Sequence, residues 1–174
     1  MSYQLSPQGV TFITTEEAYA ATVYEKDDHP TGGFGHTGKW PDGSSLVVGQ
    51  HVTKEQAVEW FKADIRGPLD SLWKAAPGIL TQPEVDALTS LLFNCGTGIL
   101  GPGHTLGNEL YKRDLEGVAR AILLYDMATI RGVRGPFLAT RRKAEHDMFQ
   151  GAAEVSTPSG LFECAKAATS GDIT

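Results

Sequence analysis

An α+β fold, with a small antiparallel sheet and a larger helical lobe, is what this sequence predicts, and three features predict it. Glycines and prolines crowd one early stretch, apolar residues recur at helical spacing through most of the rest, and two of the helical stretches open on capping signals. The apolar residues Val10, Ile13, Ala20 and Val23 fall roughly on one face, so residues 8 to 23 read as a first helix. Between Tyr24 and Gln50, Gly32, Gly33, Gly35, Gly38, Gly43 and Gly49, with Pro30 and Pro41, break any helix and mark turns between short strands. Pro41-Asp42-Gly43 signals a turn, because Pro presets φ and Gly accepts positive φ.

Beyond the glycine-rich stretch, Thr53-Lys54-Glu55-Gln56 has the form of a capping box. Ala57, Val58, Trp60, Phe61 and Ile65 then keep helical spacing up to Gly67-Pro68. A second box, Thr81-Gln82-Pro83-Glu84, carries proline in its first turn. It opens Val85, Ala87, Leu88, Leu91, Leu92 and Phe93, apolar enough to form the central buried helix. Gly96, Gly98, Gly101 and Gly103 form a loop, and helices are expected over 105–112, 114–128 and 136–149. The expected organisation is one unit over 1–150, with a β lobe at about 24–52 and a helical lobe at about 53–150. Residues 151–174, rich in Ala, Ser, Thr and Gly with only Leu161 and Phe162 to pack, read as a loosely held tail.

Composition narrows the function. The 174 residues are 41% hydrophobic and 21% charged, as in an ordinary soluble domain. A net charge of −6 argues against nucleic acid as a partner. No apolar run approaches the roughly 20 residues that cross a bilayer, so no membrane insertion is expected. The start, Met1 to Pro7, lacks the basic and apolar regions of a signal peptide, which implies a protein that accumulates where it is made. The two cysteines, Cys95 and Cys164, lack metal-ligand spacing and read as free thiols; no metal and no cofactor is expected.

Acidic residues gather around the end of the first helix: Glu16-Glu17 within it, then Glu25, Asp27 and Asp28. Glycosidic hydrolysis needs one carboxylic acid to protonate the leaving oxygen and a second group to activate or stabilise the attack. Acids at a helix-to-sheet junction can supply both. Alone, an acid pair on a helix is most often a solvated face, and a glycine-rich strand is most often a hairpin.

The order of residues is more specific. Glu17, Tyr24 seven positions on, and the run Pro30-Thr31-Gly32-Gly33-Phe34-Gly35-His36-Thr37-Gly38-Lys39 resemble the N-terminal signature of the phage lysozymes, glycoside hydrolase family 24. Asp86-Ala87-Leu88-Thr89-Ser90-Leu91-Leu92-Phe93-Asn94-Cys95-Gly96 resembles a later helix of that family. Thr105-Leu106 and Arg141-Arg142-Lys143-Ala144-Glu145 resemble its further landmarks, in order. The resemblance spans about residues 8 to 149 and implies a lysozyme-like fold.

Position by position, the resemblance implies Glu17 as general acid and Thr31 as the residue that positions the attacking group, with His36 shaping the loop beside the cleft. The second carboxylate departs from the pattern. Counting forward from Glu17 gives Lys26, and counting back from Thr31 gives Glu25, because the intervening loop is one residue short. Asp27 is favoured over Glu25, with Asp28 third. Gly32 also replaces the isoleucine usual before the next glycine.

The implied reaction is hydrolysis of the β-1,4 bond between N-acetylmuramic acid and N-acetylglucosamine in peptidoglycan, with inversion. Glu17, partly buried, would protonate the leaving oxygen, and the second acid with Thr31 would hold the attacking water. A lytic transglycosylase using Glu17 alone, and a catalytically dead glycan-binding module, are the alternatives. The absence of a signal peptide fits an endolysin that waits in the host cytoplasm and acts in the periplasm once a holin opens the membrane. It fits equally a bacterial effector delivered by a secretion system; a monomer is expected. Trp40 is the sugar-stacking candidate, whereas Trp60 and Trp73 read as core or rim. Arg141-Arg142-Lys143 reads as a solvated helix face before a wall-binding one. Asn94 reads as a cap or bridge to buried backbone rather than a reacting group.

Overall fold

The computed structural model describes residues 2–26, 28–40, 42–130 and 133–151. These residues form two compact units, one of Val10–Ile65 and one of residues 2–9 with 66–151. The division falls inside the first helix, α1 (Pro7–Glu17), whose first three residues belong to the second unit.

The Val10–Ile65 unit holds the glycine-rich stretch. Here α1 stops at Glu17 and does not run on to residue 23 as the apolar spacing suggests. Ala18 takes φ +55, a left-handed conformation that ends the helix. From Ala20 the chain extends as β1 (Ala20–Lys26), where the β-branched Thr22 and Val23 suit a pleated surface. Val23 donates to the Gln50 carbonyl and accepts from Gly49 N, each at 2.8 Å, so it is buried as a strand residue. Its helical spacing from Ile13 and Ala20 is coincidental.

Strand β1 pairs antiparallel with β2 (His29–Gly33), with Tyr24 opposite Thr31, Glu25 opposite Pro30 and Lys26 opposite His29. Isolated bridges join Thr22 to His51, Gly32 to His36 and Lys39 to Ser45. The Asp42-Gly43 turn forms as its residues predict: Gly43 takes φ +85 and donates to the Trp40 carbonyl, while Asp42 accepts from Ser44 N at 2.9 Å. Pro41 lies outside the described residues.

Helix α2 (Lys54–Asp64) opens on the predicted capping box: Gln56 N donates to Thr53 Oγ1 at 3.2 Å and Thr53 N to Gln56 Oε1 at 2.9 Å. Ala57, Val58, Trp60 and Phe61 form its buried face. The helix lies tight against β2, and two glycines permit this. A Cβ on Gly32 would fall 3.2 Å from methyls of both Val23 and Val52, and one on Gly33 would fall 3.0 Å from the Ala57 Cβ. A side chain at position 32 would require the Val23 and Val52 methyls to give way.

The other unit is helical: α3 (Arg66–Ala75), α4 (Gln82–Cys95), α5 (Thr105–Lys112), α6 (Leu115–Ile122) and α7 (Ala139–Phe149). Pro68 stands in the first turn of α3, where a missing N–H is tolerated, so Gly67-Pro68 marks a junction between helices. Helix α4 begins at its predicted box and buries Leu88, Leu91 and Leu92, as a central helix should; it packs on α3 and α7. The helix expected over 114–128 ends at Ile122. After a 3₁₀ turn over Leu123–Tyr125, the chain forms a second hairpin, β3 (Ala128–Ile130) with β4 (Val133–Gly135). Among the described residues no helix is long and apolar enough to cross a membrane. Residues 152–174, with Cys164, lie outside the described residues.

Candidate active site

Glu17 is the last residue of α1 and is half-buried, while its neighbour Glu16 is exposed. The glycine-rich loop approaches the Glu17 carboxylate. Gly32 and His36 exchange both backbone hydrogen bonds at 2.9 Å, closing a tight loop, and Gly35 within it takes φ +86. A Cβ on Gly35 would lie 3.5 Å from Glu17 Oε2, so the bare backbone faces the acid.

Thr31 is 1% exposed, and its hydroxyl donates to the His29 carbonyl at 3.1 Å. With its proton spent on that carbonyl, the oxygen can still accept from a water. Glu25 is exposed and pairs with Pro30. Side chains alternate across a strand, so Glu25 stands on the opposite face of the ladder from Tyr24 and Thr31. Asp28 is exposed at φ +63 beside the Lys26–His29 pair. Asp27 lies outside the described residues.

His36 is held on three sides. Its Nδ1 lies 2.9 Å from Asp64 Oδ2, its ring stacks on Trp60 with centroids 4.6 Å apart, and Nε2 faces the Lys39 carbonyl at 3.4 Å. Gly38 makes room, because a Cβ there would fall 2.6 Å from His36 Cε1. Sequence reasoning missed Asp64. It closes an amphipathic helix 28 residues downstream, and no local pattern links it to His36. Trp40 meets Trp60 edge-on at 5.0 Å and donates Nε1 to Gln50 Oε1 at 3.0 Å. Trp60 is buried, as its helical spacing suggests, and Trp73 packs edge-on with Tyr3.

The basic run near the C-terminal end is not a solvated face. Arg142 and Glu145 are each 0% exposed, and Arg141 is buried with them. Glu145 Oε1 accepts from Ser90 Oγ at 2.7 Å, Arg142 Nη2 at 3.1 Å and Arg141 Nε at 3.2 Å. Arg142 also donates to Asn94 Oδ1 and Cys95 Sγ, each at 3.1 Å, so Asn94 serves a guanidinium. Only Lys143 of the basic run is exposed, paired with Asp147. The run docks α7 on α4 through ions that must be paired to be buried.

These features agree with what the chain is similar to. The phage lysozyme family matches residues 14–145. The chain belongs to the phage lysozyme family. It is 33% identical over 147 residues to the endolysin of Salmonella phage P22, covering 84% of this chain and 97% of that protein. Its fold matches an endolysin from Escherichia coli O157:H7 phage FAHEc1 with a TM-score of 0.74 and 28% identity, covering 87% of this chain and 96% of that one. A mutant of P22 lysozyme matches with a TM-score of 0.72 and 32% identity, over 85% and 99% of the two chains. Peptidoglycan hydrolysis is accordingly the activity of this lysozyme, and the lysozyme-like α+β fold holds.

Proposed function

We propose that this lysozyme cleaves the β-1,4 bond between N-acetylmuramic acid and N-acetylglucosamine with inversion, using Glu17 as general acid. The observation that carries this reading is the bare Gly35 backbone over the Glu17 carboxylate, at a left-handed φ of +86 that favours glycine. It leaves the acid open to a sugar oxygen where a methyl would already be in van der Waals contact with it. Glu17 protonates the leaving oxygen. A second carboxylate takes one proton from a water at the opposite face of the ring, while the Thr31 oxygen accepts a hydrogen bond from that water's other hydrogen. Inversion calls for about 6.5–9.5 Å between the carboxyls, room enough for that water.

Asp27 is the proposed second carboxylate. Glu25 is disfavoured by its place on the ladder face opposite Thr31. The biological role is that of an endolysin, monomeric and stored in the host cytoplasm, then admitted to the periplasm by a holin or carried by a secretion system.

The test is digestion of Gram-negative peptidoglycan by wild type, Glu17→Gln, Glu25→Gln, Asp27→Asn and Asp28→Asn, with product ends read by mass spectrometry. Reducing muramic-acid ends from wild type, lost in Glu17→Gln and Asp27→Asn but kept in the other two, are the expected result. Full activity in Asp27→Asn would remove Asp27 from the mechanism. Anhydro ends from wild type would make the enzyme a transglycosylase.

A further inference from the structure

Asp86 is 3% exposed on α4, on the face it shares with Gln82 and the buried Thr89 and Ser90. A carboxylate is buried at high cost unless hydrogen bonds satisfy it. Its partners belong largely to the segment that leads into α1. Ser6 N donates to Oδ1 at 2.9 Å and Ser6 Oγ donates to Oδ2. Gln82 Nε2 donates to Oδ1 at 2.9 Å and also to the Gln4 carbonyl at 2.9 Å.

Ser6 immediately precedes α1, and its Oγ accepts from Gly9 N at 3.1 Å, so the serine caps the helix while the carboxylate grips the serine. The grip is close. A Cβ on Gly9 would fall 2.6 Å from Asp86 Cγ. Tyr3 extends the attachment, donating its hydroxyl to the Ala76 carbonyl and accepting from Ile79 N and Leu80 N at 3.1 Å. All of these contacts lie within one compact unit.

The other end of the same helix carries Glu17. Ten residue steps separate Pro7 from Glu17, about 15 Å along a helix axis. On a rod of that length, a tilt of about 4° at the anchored end moves the far end by about 1 Å. We propose that Asp86 is a positioning residue for the reaction: by holding the first turn of α1 it sets where Glu17 stands. This rests on the reading of Glu17 as general acid.

The test compares wild type with Asp86→Ala, Asp86→Asn, Ser6→Ala and Glu17→Gln on solubilised peptidoglycan strands. It measures kcat, KM and the pH–rate profile well below each variant's Tm. A displacement of that size lowers kcat in Asp86→Ala by about 10²-fold, with KM within about twofold and the pH profile shifted. Asp86→Asn restores most of kcat, because an amide of the same shape accepts from Ser6 N and donates to Ser6 Oγ. A lower Tm with wild-type kcat and pH profile in Asp86→Ala would make the residue merely structural and overturn the proposal. Should Asp86→Ala fail to fold, Ser6→Ala carries the same test, with about a tenfold fall in kcat expected and wild-type kcat overturning it. Wild-type kcat in Glu17→Gln would overturn the general-acid reading, and this inference with it. Loss of activity in Glu17→Gln beside full kcat in Asp86→Ala would overturn this inference alone.

Discussion

The Nδ1 of His36 stands 2.9 Å from one carboxylate oxygen of Asp64 and 3.1 Å from the other, tying the glycine-rich loop to the last turn of α2. Both ring nitrogens face acceptors, Asp64 on one side and the Lys39 carbonyl on the other. The imidazolium, which donates from both, is the form this setting satisfies.

Burial alone would lower the His36 pKa, but the hydrogen bond to Asp64, its charge and the Lys39 carbonyl outweigh that and raise it above 6.5. The folded state therefore holds the proton more tightly than the unfolded chain. The stabilisation is fully present below the ordinary value and is lost as pH rises through the raised one. In wild type, stability should fall as pH rises above about 6.5, and this fall should be weaker in Asp64→Asn, whose stability differs from wild type most at the acid end. Parallel urea-denaturation curves across that range would show that the pair carries no linkage.

Gly35→Ala tests the approach of backbone to acid. The left-handed φ should cost about 1–2 kcal/mol of stability, and the added methyl would stand beside Glu17 Oε2. Gly49→Ala is the control, since φ is +92 there but nothing lies within 4 Å of the new methyl. Both variants should lose similar stability, and only Gly35→Ala should lose kcat. Equal activities in the two would mean that the space over Glu17 is not used.

The buried ions of α7 should behave unlike the exposed ones. Glu145→Ala strands Arg142 in a site closed to water, so a loss of about 3–5 kcal/mol is expected. Lys143→Ala removes an exposed pair, for which the loss should stay below about 0.5 kcal/mol. Chemical denaturation of both variants checks the contrast, and a mild Glu145→Ala would mean that water reaches the site.

Burial pushes the Cys95 thiol above its ordinary value of 9.0, although Arg142 pulls the other way. The thiolate is the reactive form. In a Cys164→Ser background, Cys95 should react slowly with an aromatic disulfide reagent at about pH 8 and fully once unfolded. Rapid labelling of the native protein would show an accessible thiolate.

Local signals in the sequence set much of this structure. Both capping boxes start helices where their residues sit, because a cap needs only groups three positions apart. Gly43 turns the chain for the same reason, since its conformational freedom is its own. Glu17, Thr31 and His36 are proposed as site residues from the order of residues around them, whereas the α+β class was legible in composition that changes along the chain.

Packing decided the rest. The end of α1 could not be read from spacing, because Val23 suits a helix face and a strand equally until Gly49 and Gln50 arrive to pair with it. Arg141 and Arg142 look like any charged surface turn. Only their placement against Ser90, Asn94 and Glu145, the first two some 50 residues distant, makes them interior. Asp64, which holds His36, and Ser6, which Asp86 grips, lie 28 and 80 residues from them. Hydrogen bonds and burial depend on distance in space, whereas a sequence states only distance along the chain. Local conformation was therefore legible in the residues themselves, and which charged groups are buried and paired was decided where the folded chain placed their partners.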